Sequence, residues 1–122
     1  QAFDTALAIQ AAIAEAMQPG AICAEIFSLA EQLATNAGLG SCFMGAPGEQ
    51  AKFVGHGVGL ELDEMPVLAK GFNVPLQLHQ TIAVEPKFVF PGSGVVGIEN
   101  TFVVSKHGGK RLTILEDELI VL

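Results

Sequence analysis

The chain has 122 residues, enough for one domain with one modest core. Half of the residues are hydrophobic and 16% are charged, which excludes a disordered chain, and no apolar run reaches the ~20 residues that a membrane helix needs. A net charge of −7 repels phosphate backbones and excludes nucleic acid as the expected partner.

Gln1 already lies inside an amphipathic pattern, so the chain is expected to be cut from something longer. The alanine-rich start carries Asp4 and Glu15 and lacks the early basic cluster of a signal peptide. Residues 2–17 pair Phe3 with Leu7, and Ile9 with Ile13 and Met17, at helical spacing, and Pro19-Gly20 ends that helix. A second apolar stripe runs through Ile22, Ile26, Leu29 and Leu33, with Asn36 and Gly38 as its exit. So short a link predicts an antiparallel helix hairpin. Cys23 and Cys42, the only cysteines, read as two reduced thiols, which favours the cytoplasm.

Gly38 to Gly48 is a glycine-rich loop, after which the helical period disappears. Phe53–Leu62 has strand character broken by glycines, and Pro66 and Pro75 bracket an irregular loop. Asp63 and Glu64, beside Pro66, read as a solvated turn, and His79 and His107 as surface residues. Thr81–Phe90, Val95–Ser105 and Arg111–Leu115 are rich in Val, Ile, Phe and Thr and predict strands. Pro91–Gly94 and His107-Gly108-Gly109 supply the turns. The expected fold class is α+β, two antiparallel helices packed on an antiparallel sheet, as a single domain over residues 1–122.

Glu85 and Glu99 interrupt two of these apolar strands. If Phe90 to Gly94 is the loop and Val89 pairs with Val95, Glu85 lies directly opposite Glu99 on one face. Two facing carboxylates repel unless something positive lies between them. His56, flanked by Gly55 and Gly57, supplies an imidazole from a neighbouring strand. One His and two carboxylates suit Mn, Co, Fe or Zn. On spacing alone, a lone strand glutamate is as often an ordinary solvent-facing charge, and a lone histidine is more often structural than a ligand. Gly92-Ser93-Gly94-Val95-Val96-Gly97 matches the dinucleotide fingerprint in letters, with Glu116 and Asp117 downstream. Its glycines lead into a strand instead of opening a helix, so nucleotide binding is set aside.

The order Gly55-His56-Gly57-Val58-Gly59-Leu60-Glu61-Leu62, then Ala83-Val84-Glu85-Pro86, then Gly97-Ile98-Glu99-Asn100-Thr101 resembles the C-terminal half of the pita-bread metallopeptidases. The resemblance covers nearly the whole chain and is strongest to the prolidase-like branch. It implies half of a pita-bread fold with a curved sheet, and a hydrolase of Xaa-Pro dipeptidase or aminopeptidase type that cleaves short proline-containing peptides with a metal-activated water. It implies a divalent metal pair in the full-length parent, with His56, Glu85 and Glu99 as ligands, Glu99 bridging the two ions and Glu85 also the catalytic general base. Asp63 stands where the family has a substrate-binding histidine, Gly97 where it has an arginine, Asn100 where it has an aspartate, and Lys87 where it has a glycine. Two further aspartate ligands would precede the first helix, and neither Asp4 nor Asp117 is placed to substitute. By this reading the isolated chain is inactive, binds metal weakly and self-associates through uncovered sheet edges. The competing expectation is a non-catalytic binding or scaffold module of the same fold.

Overall fold

The computed structural model describes residues 1–58, 64–112 and 120–121. Helix α1 spans Ala2–Ala16 and helix α2 spans Cys23–Asn36, as helical spacing predicted. Ala6, Ile9 and Ile13 of the first helix, and Met17 just past its end, are fully buried. The second helix is rotated from the expected stripe. It buries Cys23, Ile26, Phe27, Ala30 and Ala34, while Leu29 lies at its exposed margin. Alanine on the inner face lets the helix lie close, and the bulk comes from Phe27.

No side chain caps α2. Its first amides are satisfied from elsewhere: Cys23 N–H donates to Val74 O and Ala24 N–H to Phe72 O, each at 3.0 Å. Ala21 O in turn accepts from Leu76 N–H at 2.8 Å. The loop around Pro75 is thus tied to the start of α2. The glycine-rich loop after α2 contains a 3₁₀ turn, Gly40–Cys42. Gln50 Nε2 holds that loop by donating to Gly40 O and Phe43 O, both at 2.7 Å.

The strands are β1 (Phe53–Gly57), β2 (Glu64–Ala69), β3 (Thr81–Val84), β4 (Lys87–Phe90), β5 (Gly94–Gly97), β6 (Asn100–Ser105), β7 (Gly108–Arg111) and β8 (Ile120–Val121). They form an antiparallel five-stranded sheet, β2-β1-β3-β6-β7, and a three-stranded one, β4-β5-β8. Pro66, expected in an irregular loop, lies inside β2, where the outermost place in the sheet tolerates its missing N–H. Glu64, expected in a turn, pairs with Gly57. Asp63, the end of the expected first strand, Thr113–Leu115 and Asp117 lie outside the described residues.

The two long strands expected at 81–90 and 95–105 are each divided in two. Pro86 has no N–H to donate, while Glu85 N–H bonds Val54 O at 2.9 Å and so continues the pairing of β3 with β1. The ladder breaks there and the ribbon passes from one sheet to the other. The register survives the break: Val84 faces Asn100 on one side, and Lys87 faces Gly97 on the other. Phe90 also pairs with Gly94, so the loop between them is 91–93.

The final hairpin turns at Lys106-His107, one step earlier than expected. Gly108 and Gly109 belong to β7 and serve helix packing. A Cβ on Gly108 would lie 2.8 Å from Ala14 O, and one on Gly109 3.0 Å from Met17 Sδ. His79 and His107 are exposed, as expected.

The helices cover one face of the five-stranded sheet. Along β6, Asn100, Phe102 and Val104 are buried while the alternate Thr101, Val103 and Ser105 are partly open. The same core extends to the loop and the smaller sheet through Phe27, Phe43 and Phe88. Their ring centroids are 6.4 Å and 5.6 Å apart along that series.

Candidate metal centre

His56 pairs with Ala83 across β1 and β3, and Ala83 pairs with Thr101 across β3 and β6. All three therefore share the face turned away from the helices. Glu85 follows Ala83 by two residues and keeps that face, as does Glu99 two residues before Thr101. The break in the ladder places both glutamates where the two sheets meet. Gly55 makes this possible beside His56: a Cβ there would lie 2.7 Å from Ala83 O and push β1 off β3.

One ligand atom from each of His56, Glu85 and Glu99 lies within 4.8 Å of the others. His56 and Glu85 are partly buried and Glu99 is exposed. The register assumed from sequence is the one observed, and the trio comes together. Asp63 lies outside the described residues.

The polar partners fix the imidazole. His56 Nδ1 is 3.0 Å from Gly57 O, and a carbonyl only accepts, so Nδ1–H donates. In neutral histidine this turns the Nε2 lone pair toward Glu85 Oε2, which is 3.1 Å away. Two acceptors at that distance need a proton or a cation between them. Burial raises the Glu85 pKa above the ordinary carboxylate value, and the negative charge of Glu99 raises it further. Protonated His56, by its charge and by donating Nε2–H, and Lys87, by charge, would pull the other way without cancelling the rise. Carboxylates short of positive charge, beside an imidazole whose distal N–H rests on a carbonyl, fit a divalent metal.

A buried hydrogen bond supports Glu99 from behind. Asn100 Nδ2 donates to Gln10 Oε1 at 3.1 Å, tying the residue after Glu99 to α1. Gln10 Nε2 is buried without a partner among the described residues.

The model of the metallopeptidase family M24 matches residues 1–106. The chain belongs to that family. Its relatives include the Xaa-Pro dipeptidase of Pyrococcus furiosus, 33% identical over 97% of this chain and 32% of that protein. The Xaa-Pro dipeptidase of Lactobacillus delbrueckii subsp. lactis is 36% identical over 93% of this chain and 28% of that protein. The crystal structure of an X-Pro aminopeptidase from Thermotoga maritima superposes with a TM-score of 0.85 at 25% identity, covering 96% of this chain and 31% of that one. The chain therefore spans about a third of the length of these metallopeptidases. Its fold is the α+β pita-bread peptidase fold, here two helices and antiparallel strands.

Beside the trio, the same ribbon face holds a cavity of about 140 Å³. Glu85 and Glu99 stand at one end, Lys87 and Gly97 follow, and Val89 and Val95 close the other. The sequence presented Lys87 and Gly97 only as two separate departures from family pattern. Strand period puts Lys87 on the face of Glu85, and the register assumed from sequence makes Gly97 its partner; the cavity that they line is visible only in the fold.

Proposed function

We propose that this chain carries part of the catalytic centre of a metal-dependent Xaa-Pro dipeptidase or aminopeptidase, with His56, Glu85 and Glu99 as metal ligands. The observation that carries this reading is the approach of His56 Nε2 to Glu85 Oε2 at 3.1 Å, with Glu99 within reach. A bound divalent metal would lower the pKa of a water and polarise the scissile carbonyl. Glu85, whose carboxyl already favours its protonated form more than an ordinary carboxylate, is the general base that takes a proton and returns it to the leaving amine. His56 holds its ring orientation through Nδ1–H to Gly57 O, and the ribbon break holds Glu85 against Glu99.

The substrate class is a short peptide with proline after the scissile bond, as in the names of the relatives. The resemblance also calls for two aspartates that this chain does not supply. The 122 residues alone are therefore proposed to be inactive and to bind metal weakly. Two free thiols fit a reducing compartment such as the cytoplasm. Among the described residues no helix is long and apolar enough to cross a membrane. Among the described strands, β2 and β7 end the larger sheet, and self-association of the isolated chain through such edges is part of the proposal.

The test is hydrolysis of Xaa-Pro dipeptides by the full-length protein with Mn²⁺ or Co²⁺. Turnover that a chelator abolishes and that Glu85→Gln lowers by roughly a hundredfold or more supports the reading. Turnover unaffected by either contradicts it.

A further inference from the structure

The ribbon that carries the two glutamates also presents a cation. Lys87 stands two residues beyond Glu85 on the same face, roughly 6.7 Å further along the strand. It is half-buried, and among the described residues its ammonium makes no hydrogen bond or ion pair. Its cross-strand partner is Gly97, and a Cβ there would lie 2.7 Å from Lys87 Cβ. Glycine thus clears the space beside the lysine. Val89 and Val95, two pairs further on, form the apolar end of the cavity.

Lys87 acts on Glu85 by charge, without a hydrogen bond, and glutamates holding a divalent cation would leave that ammonium less compensated. A half-buried ammonium in a cavity gains from an incoming anion, because hydrogen bonds to charged groups are stronger than neutral ones. The chain as a whole carries −7, so an anionic substrate needs a local cation to settle here. We infer that Lys87 is a specificity-determining residue that receives a carboxylate of the peptide substrate in the cavity beside Glu85 and Glu99. This rests on the peptidase reading above. The carboxylate is either the C-terminal group of a dipeptide or an acidic side chain.

Three peptides separate these sources: Ala-Pro, Ala-Pro amide and Asp-Pro amide, each given to the full-length Mn²⁺-loaded protein and its Lys87→Met and Lys87→Arg variants. Lys87→Met is expected to raise KM at least tenfold for the peptide carrying the recognised carboxylate, with kcat within about threefold and Ala-Pro amide unaffected. Loss confined to Ala-Pro identifies the C-terminal carboxylate, and loss confined to Asp-Pro amide identifies the side chain. Lys87→Arg is expected to keep most of the affinity, since it keeps the charge. Equal loss for all three peptides, no loss for any, or a loss shared by Lys87→Arg overturns the inference. If the wild type cleaves none of them, the peptidase reading fails on its own. The same three peptides, left intact, are then titrated calorimetrically into wild type and variants, and the same pattern of Kd decides the role of Lys87.

Discussion

Two carboxylates held side by side on a half-buried surface work against the fold that holds them. Glu85 shows this through its raised pKa, caused first by burial and then by Glu99. A carboxyl whose folded pKa lies above its unfolded value stabilises the fold while protonated, and that contribution is lost as pH rises through the folded pKa. Glu85→Gln removes the charge and keeps a polar partner for His56. In chelator, it is expected to melt higher than the wild type at pH 7 and to lose that advantage below about pH 4, the ordinary range for glutamate. A melting difference that stays constant from pH 7 to pH 4 would contradict the assignment. Much of the site was legible at this scale. Spacing about the 91–93 loop gave the facing pair, and the glycines around His56 marked a crowded strand. The tautomer of His56 was not legible, because Gly57 O becomes its partner only in the folded backbone.

At the scale of elements, glycines report what the helices and strands demand of one another. Gly92 has φ +79 in a turn with open space around it, whereas Gly108 has φ +109 and no room toward Ala14 O. Gly92→Ala is expected to cost about 1 kcal/mol from backbone strain alone. Gly108→Ala is expected to cost about 2–4 kcal/mol, since it adds collision with α1 to that strain. Denaturant unfolding of both variants checks this, and equal costs would refute the packing role of Gly108. Phe43→Ala, which empties the middle of the Phe27–Phe43–Phe88 series, is expected to cost about 3–5 kcal/mol by the same measurement. Helix boundaries were readable because alanine spacing and Pro19-Gly20 are local signals. The rotation of α2 was not, because Cys23, Ala30 and Ala34 are inner residues by virtue of close approach and not of hydrophobic bulk. Gly108-Gly109 carries turn-like composition, and only tertiary packing shows that it serves α1. Pro66 similarly reads as a loop unless its strand is known to end the sheet.

The whole molecule places its candidate ligands at a seam. Helices α1 and α2 back the five-stranded sheet, Phe88 anchors the smaller sheet to α2 through Phe43, and the break at Glu85-Pro86 joins the two. Gly55→Ala, which forces β1 away from β3, should therefore weaken metal binding although it replaces no proposed ligand. Membership of the M24 family was readable from three ordered motifs. The share of the relatives that the chain represents became visible only when their lengths were compared. The claim on which the rest depends is that His56, Glu85 and Glu99 hold a divalent metal. It is tested most directly by calorimetric titration of Mn²⁺ into the full-length protein, comparing wild type, His56→Ala, Glu99→Gln and the surface control Glu31→Gln. The expected result is an affinity loss of at least about tenfold for His56→Ala and Glu99→Gln, with Glu31→Gln unchanged. Wild-type affinity in His56→Ala and Glu99→Gln would contradict the claim.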